Sequence, residues 1–156
     1  MIIGNRKTIS FELLDFTGAL LNINFYLGNR LISDQPVYIP TYSFEKSVEQ
    51  LRTGGLRNEH LNGLTPTEIV KKIEDERDSN EPQFFRHLLQ IDETIDQYSI
   101  YLLETNGATR FSWYCWDEHN CNSEHQLNEI YSTELSTSEL ITTLEQLNSE
   151  LKKVAR

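Results

Sequence analysis

The stretch YSIYLLETNGATRFSWYCW, residues 98–116, decides the fold of this chain. Asn106-Gly107 is the strongest short-range signal for a two-residue hairpin turn, because both residues tolerate positive φ. That turn fixes the pairing on either side. Leu102 faces Phe111, Ile100 faces Trp113 and Tyr98 faces Cys115, so all six lie on one side of the hairpin, the core side. The opposite side carries Tyr101, Leu103, Arg110, Ser112, Tyr114 and Trp116. A slip of one residue would exchange the two sets, so the register is strongly determined.

Upstream, the same period of two recurs. Ile9, Phe11 and Leu13 alternate with Ser10 and Glu12, and Leu21, Ile23, Phe25 and Leu27 alternate with Asn22, Asn24 and Tyr26. Each is the pattern of a strand with one buried face. Asp15 to Gly18 is expected to turn the first into the second. Gly28-Asn29 is expected to lead by a tight turn into a short strand around Leu31 and Ile32, completing a three-stranded antiparallel meander that Pro36 and Pro40 end.

The middle reads as helical. Phe44, Val48 and Leu51 follow Ser43 at helical spacing, and Gly54-Gly55 stops that helix. Thr65-Pro66-Thr67-Glu68 combines a capping threonine, proline at the first helical position and a glutamate placed to complete a capping box. This second helix has a narrow stripe, Ile69, Val70 and Ile73, and runs out into Glu74, Asp75, Glu76, Arg77 and Asp78. Pro82 is expected to begin a further short helix through Phe84, Phe85, Leu88 and Leu89, with an extended segment as the alternative.

Downstream, a strand is expected near Leu127 to Leu135 after the polar loop from Asp117 to Gln126. Ser136 and Glu139 then form a capping box, with Leu135 and Leu140 as its staple. Leu140, Leu144, Leu147, Leu151 and Val154 repeat at steps of four and three, and Lys152, Lys153 and Arg156 complement the helix dipole. These elements make an α+β fold, an antiparallel sheet built from hairpins with packed helices. At 156 residues the chain suits one domain, residues 1–156.

Charge narrows the function classes. The formal net charge is −10, and it is unevenly placed. Residues 1–67 carry six acids and six bases, whereas residues 111–151 carry eight acids and neither Lys nor Arg. A negative surface repels nucleic acid and anionic membranes and steers a protein toward basic partners. No apolar run approaches the roughly 20 residues needed to span a bilayer. The amino terminus does not read as a secretory signal, and two cysteines are too few for a disulfide framework. A reducing cytoplasm is the expected compartment.

Catalytic signatures are weak. Cys115, His119, Cys121 and His125 offer two thiols and two imidazoles, a set able in principle to hold structural zinc in a regulatory or adaptor domain. Their spacing lacks a Cys-x2-Cys knuckle, and the hairpin register turns Cys115 into the core. The plainer expectation is a buried cysteine beside loop residues, with no metal and no cofactor. A reactive thiolate paired with His119 or His125 would want a positive neighbourhood, which this stretch does not supply. Gly54-Gly55 and Gly63 precede helices without the Gly-Lys-Ser/Thr of a phosphate loop. Trp116 and Tyr114 would stack bases only in a basic groove, and their neighbours are acidic.

The remaining candidate is a binding surface. Tyr101, Tyr114 and Trp116 lead into Asp117, Glu118 and Glu124, aromatic anchors beside charges that speed encounter. Glu74, Asp75, Glu76 and Asp78 form a second acidic cluster able to dock a basic partner. The competing reading is that a helix covers the outer side of the hairpin and makes its aromatics ordinary core.

Several segments are similar to a known family. Met1-Ile2-Ile3-Gly4-Asn5 before the strand from Ile9 to Leu14, Asp96-Gln97-Tyr98-Ser99-Ile100, Phe111-Ser112-Trp113, and the closing strand-to-helix segment ending near Leu147 resemble immunity proteins of bacterial polymorphic toxin systems, in particular the family numbered forty-two. The resemblance implies a cytoplasmic antitoxin that binds the carboxy-terminal domain of a cognate toxin, as in contact-dependent growth inhibition. Many such toxin domains are basic nucleases. Neutralisation would be stoichiometric, either by plugging the toxin's substrate site or by binding beside it. The resemblance carries no catalytic residues, so a binder and not an enzyme is expected.

Overall fold

Alternating burial gathers the amino-terminal quarter of the chain into one sheet. The computed structural model describes residues 1–38, 44–77, 86–89 and 96–154. Strands β1 (Ile2–Gly4), β2 (Ile9–Thr17), β3 (Leu20–Leu27), β4 (Arg30–Ser33) and β5 (Val37–Tyr38) form an antiparallel sheet in the order β1-β2-β3-β4, with β5 also pairing β3. The expected meander is therefore its centre, extended by β1 and β5. The first turn lies later than expected. β2 runs on to Thr17 through an irregularity between Leu13 and Phe16, and the chain reverses at Gly18, whose φ is 65°. Gly28 and Asn29 both adopt positive φ, 54° and 66°, as the second turn requires. On the inner face Phe11 stacks on Phe25 at 4.9 Å between ring centroids.

The second sheet is the hairpin β6 (Tyr98–Thr105) and β7 (Ala108–Cys115), with β8 (Tyr131–Ser136) added antiparallel to β7. Tyr98 pairs Cys115, Ile100 pairs Trp113 and Leu102 pairs Phe111, and Asn106 and Gly107 take φ of 51° and 79°. The register expected from the turn is the one observed. β8 starts four residues later than the expected strand. Leu127 makes only an isolated bridge to Cys115, and Asn128 turns the chain with φ 61°.

Helices close both sides. The first, α1 (Glu45–Thr53), begins after Phe44 without a side-chain cap and ends at Gly54 in the left-handed conformation. Ser43, the expected starting signal, lies outside the described residues. The second, α2 (Pro66–Asp75), has the full capping box between Thr65 and Glu68. The third, α3 (Thr137–Val154), follows β8 with no intervening loop. Its cap differs from expectation in one half: the Ser136 hydroxyl accepts the Glu139 N–H at 3.2 Å, but the Glu139 carboxylate receives that same hydroxyl, not a backbone N–H. Leu140, Leu144, Leu147 and Leu151 are buried, whereas Val154 is exposed.

The main core lies between the inner faces of the two sheets, α1 and α3, and contains Phe11, Phe25, Phe44, Phe111 and Trp113. Each such ring removed from water contributes roughly 1.5–3 kcal/mol. A smaller cluster, Leu61, Ile69, Val70, Ile73, Tyr101 and Leu103, seals α2 onto the outer face of the hairpin. Leu88 bridges Tyr101, and the Leu89 N–H donates to the Ile100 carbonyl at 2.8 Å, so this pair lies extended along β6. The expected helix start at Pro82, with Phe84 and Phe85, falls outside the described residues. The fold is α+β with two antiparallel sheets.

Candidate functional site

Helix α2 changes the meaning of the outer hairpin face. Its apolar stripe is narrow, but Ile69, Val70 and Ile73 suffice to bury Leu103 and Tyr101, the latter 2% exposed. Tyr101 is thus core and not a surface anchor, a correction to the sequence-based expectation. Its hydroxyl donates to the Glu74 carboxylate at 2.7 Å, and the Tyr114 hydroxyl donates to the same Glu74 oxygen. Burial and the bond to Glu74 raise both phenols above their ordinary pKa, that of Tyr114 to about 12. Glu74 therefore works chiefly as a clasp that holds the end of α2 on the sheet. Beyond it Asp75 is exposed and Glu76 half-buried, and Asp78 lies outside the described residues.

Tyr114 joins two acidic runs that are about 40 residues apart in the chain. Glu74 sits on its hydroxyl, and Trp116 follows two residues later, about 7 Å along the backbone. Trp116 is held by its backbone N–H bond to the Gln97 carbonyl at 3.1 Å, yet the residue is 48% exposed. Asp117 turns inward on its own loop. Its carboxylate accepts the Asn120 side-chain amide at 2.6 Å and the His119 N–H at 3.0 Å, and these bonds hold its pKa below the usual range. Glu118 projects outward, paired with His119 at 3.2 Å. Glu124 reaches across to the other sheet, where its carboxylate accepts the Leu31 N–H and its carbonyl accepts the Arg30 guanidinium at 2.7 Å. Arg30 in turn lies over the Tyr131 ring. Of the nine described residues among the ten singled out from sequence, Trp116, Glu118 and Asp75 project most freely.

The four residues of the zinc alternative are not brought together. Cys115 and Cys121 are joined in a disulfide, with Cα atoms 5.8 Å apart. His119 is on the surface. His125 is buried between Trp113, whose indole N–H donates to Nε2 at 3.0 Å, and Tyr98, 3.2 Å from Nδ1. Because an indole nitrogen can only donate, Nε2 accepts and Nδ1 carries the hydrogen. Among the described residues no group of three or more His, Cys, Asp or Glu is arranged to hold a metal ion. The disulfide corrects the expectation of a lone buried cysteine. The spacing of six residues across a polar loop was the signal available for it.

A cleft of about 260 Å³ opens elsewhere on the hairpin's outer face, lined by Leu61, Leu64, Ile69 and Leu103, with Arg110 and Glu134 paired at 3.3 Å. Its lining includes no nucleophile paired with a base. Among the described residues no helix is long and apolar enough to cross a membrane.

No family model and no curated protein matches the chain by sequence. A solved structure does match by shape. The crystal structure of CdiI from Burkholderia dolosa AUO158 superposes with a TM-score of 0.66, covering 96% of this chain and 99% of that one, at 15% identity. With identity that low the likeness is one of fold, and the chain has the fold of that CdiI, a contact-dependent inhibition immunity protein.

Proposed function

We propose that this chain is an immunity protein that neutralises a cognate toxin domain by stoichiometric binding inside the cell and catalyses nothing. The likeness to CdiI along nearly the whole of both chains carries the reading. The side chains support it. The described residues offer an aromatic anchor among acids, and the cleft beside Arg110 and Glu134 is lined by no nucleophile–base pair. The contact surface centres on Trp116, Glu118 and Asp75, with Tyr114, Glu74, Glu76 and Asp117 behind them and Glu124 at the far end of the loop. Tyr101 supports this surface from beneath. The partner is a basic toxin domain, and a nuclease fits best, because a protein that binds polyanions presents the cationic face a negative antidote captures quickly.

The test starts at the gene's neighbourhood: a large secreted protein encoded there should supply a carboxy-terminal domain that co-purifies with this chain, and calorimetry then follows Trp116→Ala combined with Glu118→Lys and Asp75→Lys. Loss of an aromatic anchor and reversal of two acids should weaken binding at least tenfold, with an unchanged circular dichroism spectrum. A folded triple variant that binds as tightly as the parent removes this surface from the interface. A partner whose contact face is acidic refutes the charge argument outright.

A further inference from the structure

The Cys115–Cys121 bond closes a loop around two of the three residues on which the toxin-binding surface centres, Trp116 and Glu118. Trp116, Asp117 and Glu118 all lie inside it. The chain on either side is anchored independently. Cys115 is the last residue of β7 and fully buried, the Asn122 N–H donates to the Tyr98 hydroxyl at 3.0 Å, and the Asn128 N–H donates to the Cys115 carbonyl at 2.9 Å. Opening the bond would therefore remove the covalent closure of residues 116–121, loosen them, and leave the rest of the fold held. Inside the loop there remain the Trp116 N–H bond to Gln97, the Asp117 carboxylate bonds to His119 and Asn120, the Asn120 and Cys121 N–H bonds to the Asp117 carbonyl at 3.1 Å each, and the Glu118–His119 pair.

The two sulfurs differ in access. Cys121 is half-buried, whereas Cys115 has no exposed surface, so solvent-borne reagents meet Cys121. We propose that this disulfide is a redox latch on the toxin-binding loop, the oxidised chain binding its toxin more tightly than the dithiol. The inference rests on the immunity reading above. Closure proceeds by exchange with a low-molecular-weight disulfide. The Cys121 thiolate attacks one sulfur of that disulfide, forming a mixed disulfide and expelling one thiolate. The Cys115 thiolate then attacks the Cys121 sulfur and expels the second. In sum, the protein dithiol loses two electrons and two protons, and one small disulfide becomes two thiols. Reduction runs the same steps in reverse, with an external thiolate attacking Cys121 and Cys115 leaving.

A preordered loop spares the ordering cost that a free one incurs on binding, which makes about a five- to twentyfold difference in affinity for a segment this short. The experiment compares protein equilibrated with oxidised glutathione, the same protein reduced with dithiothreitol, and Cys121→Ser, which avoids disturbing the buried Cys115. Free thiols are counted, amide hydrogen exchange is mapped, and the toxin domain of the preceding section is titrated. The latch predicts faster exchange confined to residues 116–121 in the reduced and Cys121→Ser proteins, about five- to twentyfold weaker toxin binding, and loss of reductant sensitivity in the variant. Two free thiols after glutathione equilibration, or equal affinity in the two redox states, overturns it. If the toxin binds in neither state, the functional reading fails with the affinity claim, whereas unchanged exchange at 116–121 would by itself sink the latch.

Discussion

Acidification between pH 7.5 and 5 should destabilise this protein, and the buried His125 imidazole should carry a separable share of the loss. His125 is 7% exposed and both its ring nitrogens are committed, Nε2 accepting from Trp113 and Nδ1 donating to Tyr98. A second proton on Nε2 would face the indole N–H, donor against donor. Burial, reinforced by the Arg30 guanidinium and opposed by Glu124 and Glu129, lowers its pKa to about 4 from the ordinary imidazole value of 6.5. A depressed folded-state pKa means that the unfolded chain binds the extra proton first. The contribution is complete above pH 6.5 and is lost as pH falls toward 4. At pH 5 these two values correspond to about 2 kcal/mol. Solvent on the loop side reduces this to about 1–2 kcal/mol. His87, also buried and also lowered, and Asp117, held below the usual range by its hydrogen bonds, add loss of the same sign, so the assay must be differential. Urea unfolding of the parent and of His125→Gln, followed by tryptophan fluorescence at pH 7.5, 6.5, 5.5 and 5, isolates the residue. Glutamine supplies an acceptor and a donor but does not titrate. Its deficit should shrink by about 1–2 kcal/mol over that range. A deficit that stays constant with pH would refute the assignment of His125 as a neutral, doubly bonded ring.

Two further substitutions probe backbone and site. Gly4 has φ 85°, and a Cβ there would lie 2.4 Å from the Ile9 carbonyl oxygen, so Gly4→Ala should lower stability by more than about 2 kcal/mol in the same unfolding assay, and a loss under about 1 kcal/mol would contradict the close approach of β1 to β2. Glu74→Gln keeps the acceptor and removes the charge, so titration of phenolate absorbance should show Tyr114 ionising below its present value of about 12 with the fold intact, and an unmoved Tyr114 would mean that Glu74 does not set it.

Residues whose message is local were readable from the chain. Asn106-Gly107 dictated the hairpin register, Gly28-Asn29 the second turn, and Thr65 with Glu68 the start of α2, because turn and cap chemistry act over four residues or fewer. What α2 would cover was not readable. Its stripe of Ile69, Val70 and Ile73 is compatible with packing on any apolar surface, and only the tertiary fold selects the hairpin's outer side, burying Tyr101 and recruiting Glu74. The same holds for the acids. Asp117, Glu118 and Glu124 look equivalent in sequence, yet one caps its own turn, one points to solvent and one bonds across to the other sheet. The cysteine pair was legible in spacing but not in pairing, since two thiols six residues apart meet only where the loop between them folds back.

The junction between β8 and α3 has a mechanical consequence. Ser136 ends the strand and Thr137 begins the helix, the Thr137 N–H is held by the Gly107 carbonyl at 2.8 Å, and the hydroxyls of Thr109 and Thr137 are bonded at 2.9 Å. A hinge needs residues free to change φ and ψ, and this joint has none to spare. Tilting the helix would require twisting the three-stranded ribbon with it. The tip of the hairpin and the last 18 residues of the described chain therefore behave as a single stiff bracket, against which the four-stranded path of the other sheet is braced.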